Sequence, residues 1–436
     1  MIKKRILQTM TAVIFLLSGM LLFANGQSET AEGSTGESLT IGMVVNTSDY
    51  KTAVESVKAW SEQMNVPVNI IEENTQTYAS TYVLSSKTQN PKFDLIMFWD
   101  FYIDQLYPML TPLDGSYDPK YDLKIIDHGD LLEMGVSNYK GHPYVFPYGL
   151  DTRSFFYRTD LLKAAGFDRP PETWDELVTY ARALTKDLDG DGNIDQWGFA
   201  SICFPGQVFN TYTFFDFLLQ NNGKIVDADG KPLFNSEEGV EALQFMIDLR
   251  NKYKVMPPDV ITYDNNEIHE GFLSGKFAMV THWPYLYGMT AGSAVEGKVG
   301  YSKVPHPVGG SSRTVLNAWG FGIPLMSEHK DLAWDLATYL ISTEAGAFEF
   351  SQKNDWPFRK SAYDEADRLY DIPKDFLSFS NFLFSVARAN SEHVMMMRGS
   401  ETSQILSEYI DQAMVGKISA RDALDSAVKD INELLQ

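Results

Sequence analysis

Residues 187–195 read Asp-Leu-Asp-Gly-Asp-Gly-Asn-Ile-Asp, the sharpest chemistry in the chain. Asp187, Asp189 and Asp191 alternate, Gly192 stands sixth, Asn193 seventh and Asp195 ninth. Alternate oxygens can converge on one hard cation while the glycine lets the backbone reverse, as in a calcium loop. Asn193 would contribute its backbone carbonyl. The twelfth position is Gly198 rather than a bidentate glutamate, so a further ligand would come from elsewhere in the fold or from water. The same residues also suit an acidic turn held by side-chain hydrogen bonds with no ion. A Ca2+ bound here would be structural rather than a sensor.

Two more groups combine hydrogen-bonding side chains with an aromatic ring. Asn46, Thr47, Ser48, Asp49 and Tyr50 follow the apolar run LTIGMVV, and Trp99 with Asp100 ends FDLIMFWD. Those runs read as buried strands, with PVNIIEE as a strand between them. Ala53, Val57, Trp60 and Met64 are spaced four, three and four apart, which places them on one helix face. Strand, helix, strand, helix, strand predicts a parallel sheet with covered faces. Such sheets bind ligands outside the carboxyl ends of their strands, where both groups fall.

Further along, GHPYVFPYGLDTRSFFYRTDLL holds a two-proline crossing followed by a strand-like SFFYR. Thr173-Trp174-Asp175-Glu176 is a capping box for a helix reaching about Thr185. Helices are also predicted from Asn235–Glu238 to about Tyr253 and over His329–Ile341, and the C-terminal third is helical in pattern.

The amino terminus carries Lys3, Lys4 and Arg5, then an apolar stretch from about Ile6 to Phe23, then Ala24, Asn25 and Gly26. That is the pattern of a cleavable secretory signal over 1–24. The polar, small-residue stretch 25–38 reads as a flexible leader. A lipid anchor would need a cysteine at the cleavage point, and the single cysteine, Cys203, is remote and reads as a buried small hydrophobe. The formal charge of −22 becomes −25 once the three signal-segment cations are lost. Counterion displacement from nucleic acid requires a basic surface, so no nucleic-acid partner is expected. A mature chain of roughly 400 residues points to two domains.

PETWDELVTYARALT before the acidic loop, EIHEGFLSGKFAMVTHWP, and AWGFGIPLMSEHKDLAWDLATYLIS running on through TEAGAFEFSQKNDWPFRKSAYDE occur in that order. Together they resemble the extracellular solute-binding proteins, family 1, the maltose-binding-protein-like sugar binders of ABC importers. The resemblance implies an α/β, two-lobed periplasmic-binding-protein fold (Venus flytrap, type II). Each lobe would be a mixed sheet flanked by helices, with a helix-rich C-terminus. It places lobe I at 39–150 plus about 300–343 and lobe II at 151–299 plus about 344–436. Crossings are expected near Pro147–Thr152, Gly297–Pro305 and Ser342–Gly346. It also implies ligand contacts from Asp49, Tyr50, Trp99, Asp100, Asp151, Arg153, Trp283, Tyr285, Trp319, Trp356 and Arg359. Indole faces pack on the apolar face of a pyranose, and carboxylates and guanidinium groups bond its hydroxyls.

The expected role is then a monomeric periplasmic binding protein that is not an enzyme. It would capture a mono- or oligosaccharide and deliver it to ABC permease subunits in the membrane. A secreted glycoside hydrolase is the rival from another class, because 58 acidic residues could hide a catalytic pair. The same fold could instead take a polyol, glycerol phosphate, a peptide or a metal complex, or serve a membrane sensor. Stoichiometric binding without turnover separates a binder from the hydrolase.

Overall fold

The computed structural model describes residues 38–436 apart from 46, 48–49, 76, 89–91, 127–129, 132–137, 207–208, 228, 354–355 and 394–397. The expected signal peptide, and the leader up to residue 37, lie outside the described residues. The first strand, β1 (Leu39–Val44), pairs in parallel with β2 (Val68–Glu73) and with β3 (Leu95–Trp99). The helix Tyr50–Met64 connects the first two and buries Ala53, Val57 and Trp60. Met64, its last residue, is 45% exposed, so the apolar face closes one turn before the periodicity suggests. The helix Tyr78–Ser86 covers the opposite face. A Cβ at Gly42 would come within 2.6 Å of the Tyr82 ring, so glycine lets this helix sit close on the sheet.

After a hairpin of β4 (Asn138–Tyr139) and β5 (His142–Pro143), the chain enters β6 (Phe146–Thr152) and then β7 (Ser154–Arg158). These neighbours belong to different sheets. A central antiparallel trio sets β7 between β8 (Met279–His282) and β9 (Val299–Ser302). The long β10 (Thr314–Gly322) returns to the first sheet and runs antiparallel to both β3 and β6. That sheet has six strands, completed by β11 (Ser391–His393), which lies parallel to the start of β10.

The chain therefore changes sheets at Arg153 and again between Ser302 and Thr314. It changes core once more at Ser342, which caps the helix Thr343–Ser351 through a bond to the Ala345 amide. Before that point the helix Lys330–Leu340 packs Ala333, Leu336 and Leu340 with β1 and β3. Beyond it Ala347 and Phe350 join the core around β7. One detail departs from the expected division. β11 arises from the 344–436 segment assigned to the second lobe, yet its backbone extends the first sheet.

The remaining predicted helices are present. Thr173 accepts from the Glu176 amide at 3.2 Å to start Trp174–Leu184, and Ser236 caps Glu237–Asn251. The Glu176 carboxylate accepts from the Glu172 amide and is gripped by Arg169. The C-terminal third holds helices 360–369, 374–390, 399–414 and 420–434. Cys203 is buried. Among the described residues, no helix is long and apolar enough to cross a membrane.

Candidate ligand-binding seam

The two sheets meet where β3 and β6 end and β10 passes between them. Trp99 is the last residue of β3 and lies directly across from Trp319 in the antiparallel register; their rings are stacked at 6.4 Å. Along β10, Asn317 shares the face of Trp319, and the register sets Asp151 opposite Asn317. Trp99, Trp319, Asn317 and Asp151 therefore stand on one face of the first sheet.

The helix Phe209–Gln220 lies over that face. Residues 210–220 are all buried, so the helix belongs to the interior on every side and takes polar residues such as Thr213 and Asp216 in with it. Its Tyr212 ring sits 5.1 Å from Trp99 and 6.4 Å from Trp283, joining the aromatic groups of the two sheets. Phe101 stacks on Trp99 at 4.9 Å. Sequence reasoning missed Tyr212. It lies in FNTYTFFDFLLQ, where four phenylalanines mask it and no periodicity marks one ring as different.

Arg153, between β6 and β7, is fully buried. Its guanidinium lies 4.6 Å over the Trp283 ring, and its Nη1 donates to Thr213 Oγ1 at 2.8 Å. Its Nε is 3.4 Å from Asp216 Oδ2, and Asp216 Oδ1 accepts from the Val315 amide of β10 at 3.0 Å. Burial pushes Asp216 up to about 6 against the pull of Arg153. Tyr285 is half-buried and edges onto His282 at 5.1 Å and His269 at 6.0 Å. Burial, then the charge of Asp151, raises its hydroxyl well above the usual range. Burial pushes His282 down to about 3, so it is neutral in ordinary buffers.

Six buried polar atoms of this seam make no hydrogen bond: Trp99 Nε1, Tyr212 OH, Asn317 Nδ2, Arg153 Nη2, and Arg153 Nε and Asp216 Oδ2, which face each other at 3.4 Å. A buried group left unsatisfied costs about 1–3 kcal/mol, so native proteins rarely collect several in one place. All but the Asp216 oxygen can donate. A solute rich in hydroxyl oxygens would satisfy them while its apolar faces meet the surrounding rings.

The remaining expected residues make other contacts, Asp100 at the edge of the seam. Asp49 is outside the described residues. Tyr50 is half-buried against the first core and donates to Glu72. Asp100 is buried and accepts from the Ala318 amide at 3.2 Å, which holds the end of β3 to β10. The Trp356 ring is 2% exposed and packs on Phe376 and Phe379, while its carbonyl accepts from the Leu150 amide at 2.8 Å. Arg359 donates to the Ile341 carbonyl at 2.7 Å and lies 3.7 Å from Asp130. At both residues the structure shows packing and backbone ties. The segment is drawn inward by bridging to Leu131 and Gly149.

In the acidic loop, carboxylate oxygens of Asp187, Asp189 and Asp195 all lie within 4.8 Å of one another. Asp191 is not part of that set; it accepts from both the amide and the side chain of Asn193. Asp187 accepts from the Gly190 and Gly192 amides, which hold its pKa below the usual carboxylate value. Gly190 and Gly192 have φ of 81° and 93°, the region where a side chain would be strained. Hard oxygen donors at this spacing fit Ca2+, and the internal hydrogen bonds also hold the turn without it.

Two helix-flanked sheets joined by crossings, with an aromatic and polar seam between them, define a solute-binding protein of the type II periplasmic fold. The maltose-bound MalE3 of T. maritima has the same architecture, with a TM-score of 0.79 and 25% identity, covering 92% of this chain and 100% of that one. A probable ABC transporter-binding protein of Deinococcus radiodurans is 28% identical over 296 residues, 67% of this chain and 68% of that protein. The arabinooligosaccharide-binding protein of Bacillus subtilis is 25% identical over 354 residues, 77% of each. Other curated relatives are matched over 54% to 65% of their own length.

Residues 45–347 match the bacterial extracellular solute-binding proteins, and the chain belongs to that family. Its role is the binding role of an ABC importer rather than an enzymatic one.

Proposed function

We propose that this protein captures a mono- or oligosaccharide, or a sugar alcohol, in the seam between its sheets and delivers it to an ABC permease. The observation that carries this reading is the set of buried donors without a hydrogen bond among Trp99, Trp319, Tyr212 and Trp283. The maltose carried by one similar structure and the arabinooligosaccharide in one relative's name agree with it. Residues 1–24 act as the export signal, the mature chain works as a monomer in the periplasm, and the acidic loop takes a structural Ca2+. Lobe I comprises 39–150 plus about 300–343, and lobe II 151–299 plus about 344–436, with β11 extending the first sheet. Ligand touches both lobes only when they close, so binding shifts the population toward the closed form.

Titration of the mature chain with neutral sugars and sugar alcohols tests this. Saturable one-to-one binding with no released product is expected. Turnover of a glycoside, or no binding across the panel, would overturn it.

A further inference from the structure

This inference rests on the proposed sugar-binding reading and narrows it to a charge class. Burial makes the sign of each charge at the seam decisive, because a low-dielectric site magnifies electrostatic mismatch. Among the described residues whose charges act on the Tyr212 and Tyr285 hydroxyls, Arg153 is the cation, and Asp100, Asp151 and Asp264 are the anions. His282 is buried and neutral, and burial also lowers the half-buried His269.

The one guanidinium is itself occupied. Asp216 stands 3.4 Å from its Nε, Thr213 takes its Nη1, and Trp283 lies under its face. Asp216 is anchored in turn by the Val315 amide, so its carboxylate is fixed beside Arg153. Nε faces the Asp216 carboxylate, which offsets the guanidinium charge, so what remains toward a solute is the N–H donors of Nη2. Recognition of a phosphate or carboxylate uses the opposite arrangement, a guanidinium free to form two charge-assisted bonds.

We propose that the seam takes an uncharged polyhydroxyl solute and rejects its phosphorylated or carboxylated counterparts, and that Asp216 sets this rule by neutralising Arg153. Asp216 is a positioning and specificity residue here; it acts through Arg153 and touches no solute itself.

The test is a calorimetric panel on the mature protein. Neutral aldoses, ketoses, alditols and short oligosaccharides are titrated first. Each one that binds is then set against its own monophosphate and its own aldonic or uronic acid. The anionic members are expected to bind roughly a hundredfold more weakly or worse, since juxtaposed like charges cost several kcal/mol. An anionic member binding as tightly as its neutral partner overturns the charge rule while leaving the binding role intact. If no member binds, the sugar reading fails and this inference falls with it.

Asp216→Asn keeps the acceptor for Val315 but frees the guanidinium charge. This variant is expected to narrow the neutral-to-anionic ratio by at least about tenfold, chiefly through tighter binding of the anion. Anions are expected to raise its thermal midpoint where they leave the wild type unmoved. An unchanged ratio in a folded Asp216→Asn protein overturns the assignment to Asp216. Should that variant not fold, the wild-type comparison of matched pairs still decides the charge rule.

Discussion

Tyr212 shows what a single side chain contributes at the seam. Its hydroxyl is buried without a partner, so the ligand-free protein bears the desolvation penalty. Tyr212→Phe removes only that oxygen. The ligand-free protein should lose no thermal stability, while affinity should fall by about fivefold to tenfold, the worth of one hydrogen bond. A lowered midpoint with unchanged affinity would mean that the hydroxyl serves packing alone.

His282 supplies a pH dependence of known sign. Its folded pKa, about 3, lies below the unfolded value of 6.5, so the unfolded chain binds more protons between those limits. Its contribution therefore erodes as pH falls from about 6.5 toward about 3. Asp104 and Asp216, both pushed up to about 6 by burial, act oppositely between 3.8 and about 6. The clean readout is the difference between wild type and His282→Phe. The relative advantage of the variant should grow on acidification, and a pH-independent difference in midpoint would contradict this. The place of Trp99 at a strand end was legible in the sequence from the apolar run that precedes it. That of Tyr212 beside it was not, because identity alone does not separate one buried ring from its neighbours.

Individual elements were legible where local chemistry decides them. Thr173 caps its helix through the Glu176 amide, and Thr173→Ala should cost about 1 kcal/mol in denaturant unfolding. Loss of less than a few tenths would show that Arg169 and Glu176 hold the helix end without it. β11 was not legible, since three residues within a helical stretch carry no strand pattern of their own and pair only because β10 offers an edge. The acidic loop is intermediate. Its spacing announces a turn with convergent carboxylates, whereas Asp191 turns to Asn193 for reasons visible only in three dimensions. Ca2+ is expected to raise the thermal midpoint, chelator to lower it, and Asp187→Asn to abolish the difference. Equal midpoints with calcium and with chelator would leave the loop an ion-free turn.

At the scale of the whole molecule, strand–helix alternation and the ordered motifs led to the two-sheet architecture because each sheet needs covering on both faces. The identity of the solute was not readable, because it depends on which side chains the crossings bring together. Arg153 lies between β6 and β7, whereas Asp216 arrives from a helix some sixty residues on. A clamp built this way should compact on binding, visible as a smaller radius of gyration by small-angle scattering with a confirmed ligand.

The central claim is that the seam holds the solute between Trp99 and Tyr212. Titration calorimetry on wild type and Trp99→Ala, with the neutral sugars and sugar alcohols that bind, tests it most directly. One-to-one binding that weakens by about tenfold to a hundredfold in the variant, at unchanged fold, is the predicted result, since an aromatic contact of this size is worth roughly 1.5–3 kcal/mol. Equal affinity in the two proteins would place the solute elsewhere and contradict the account.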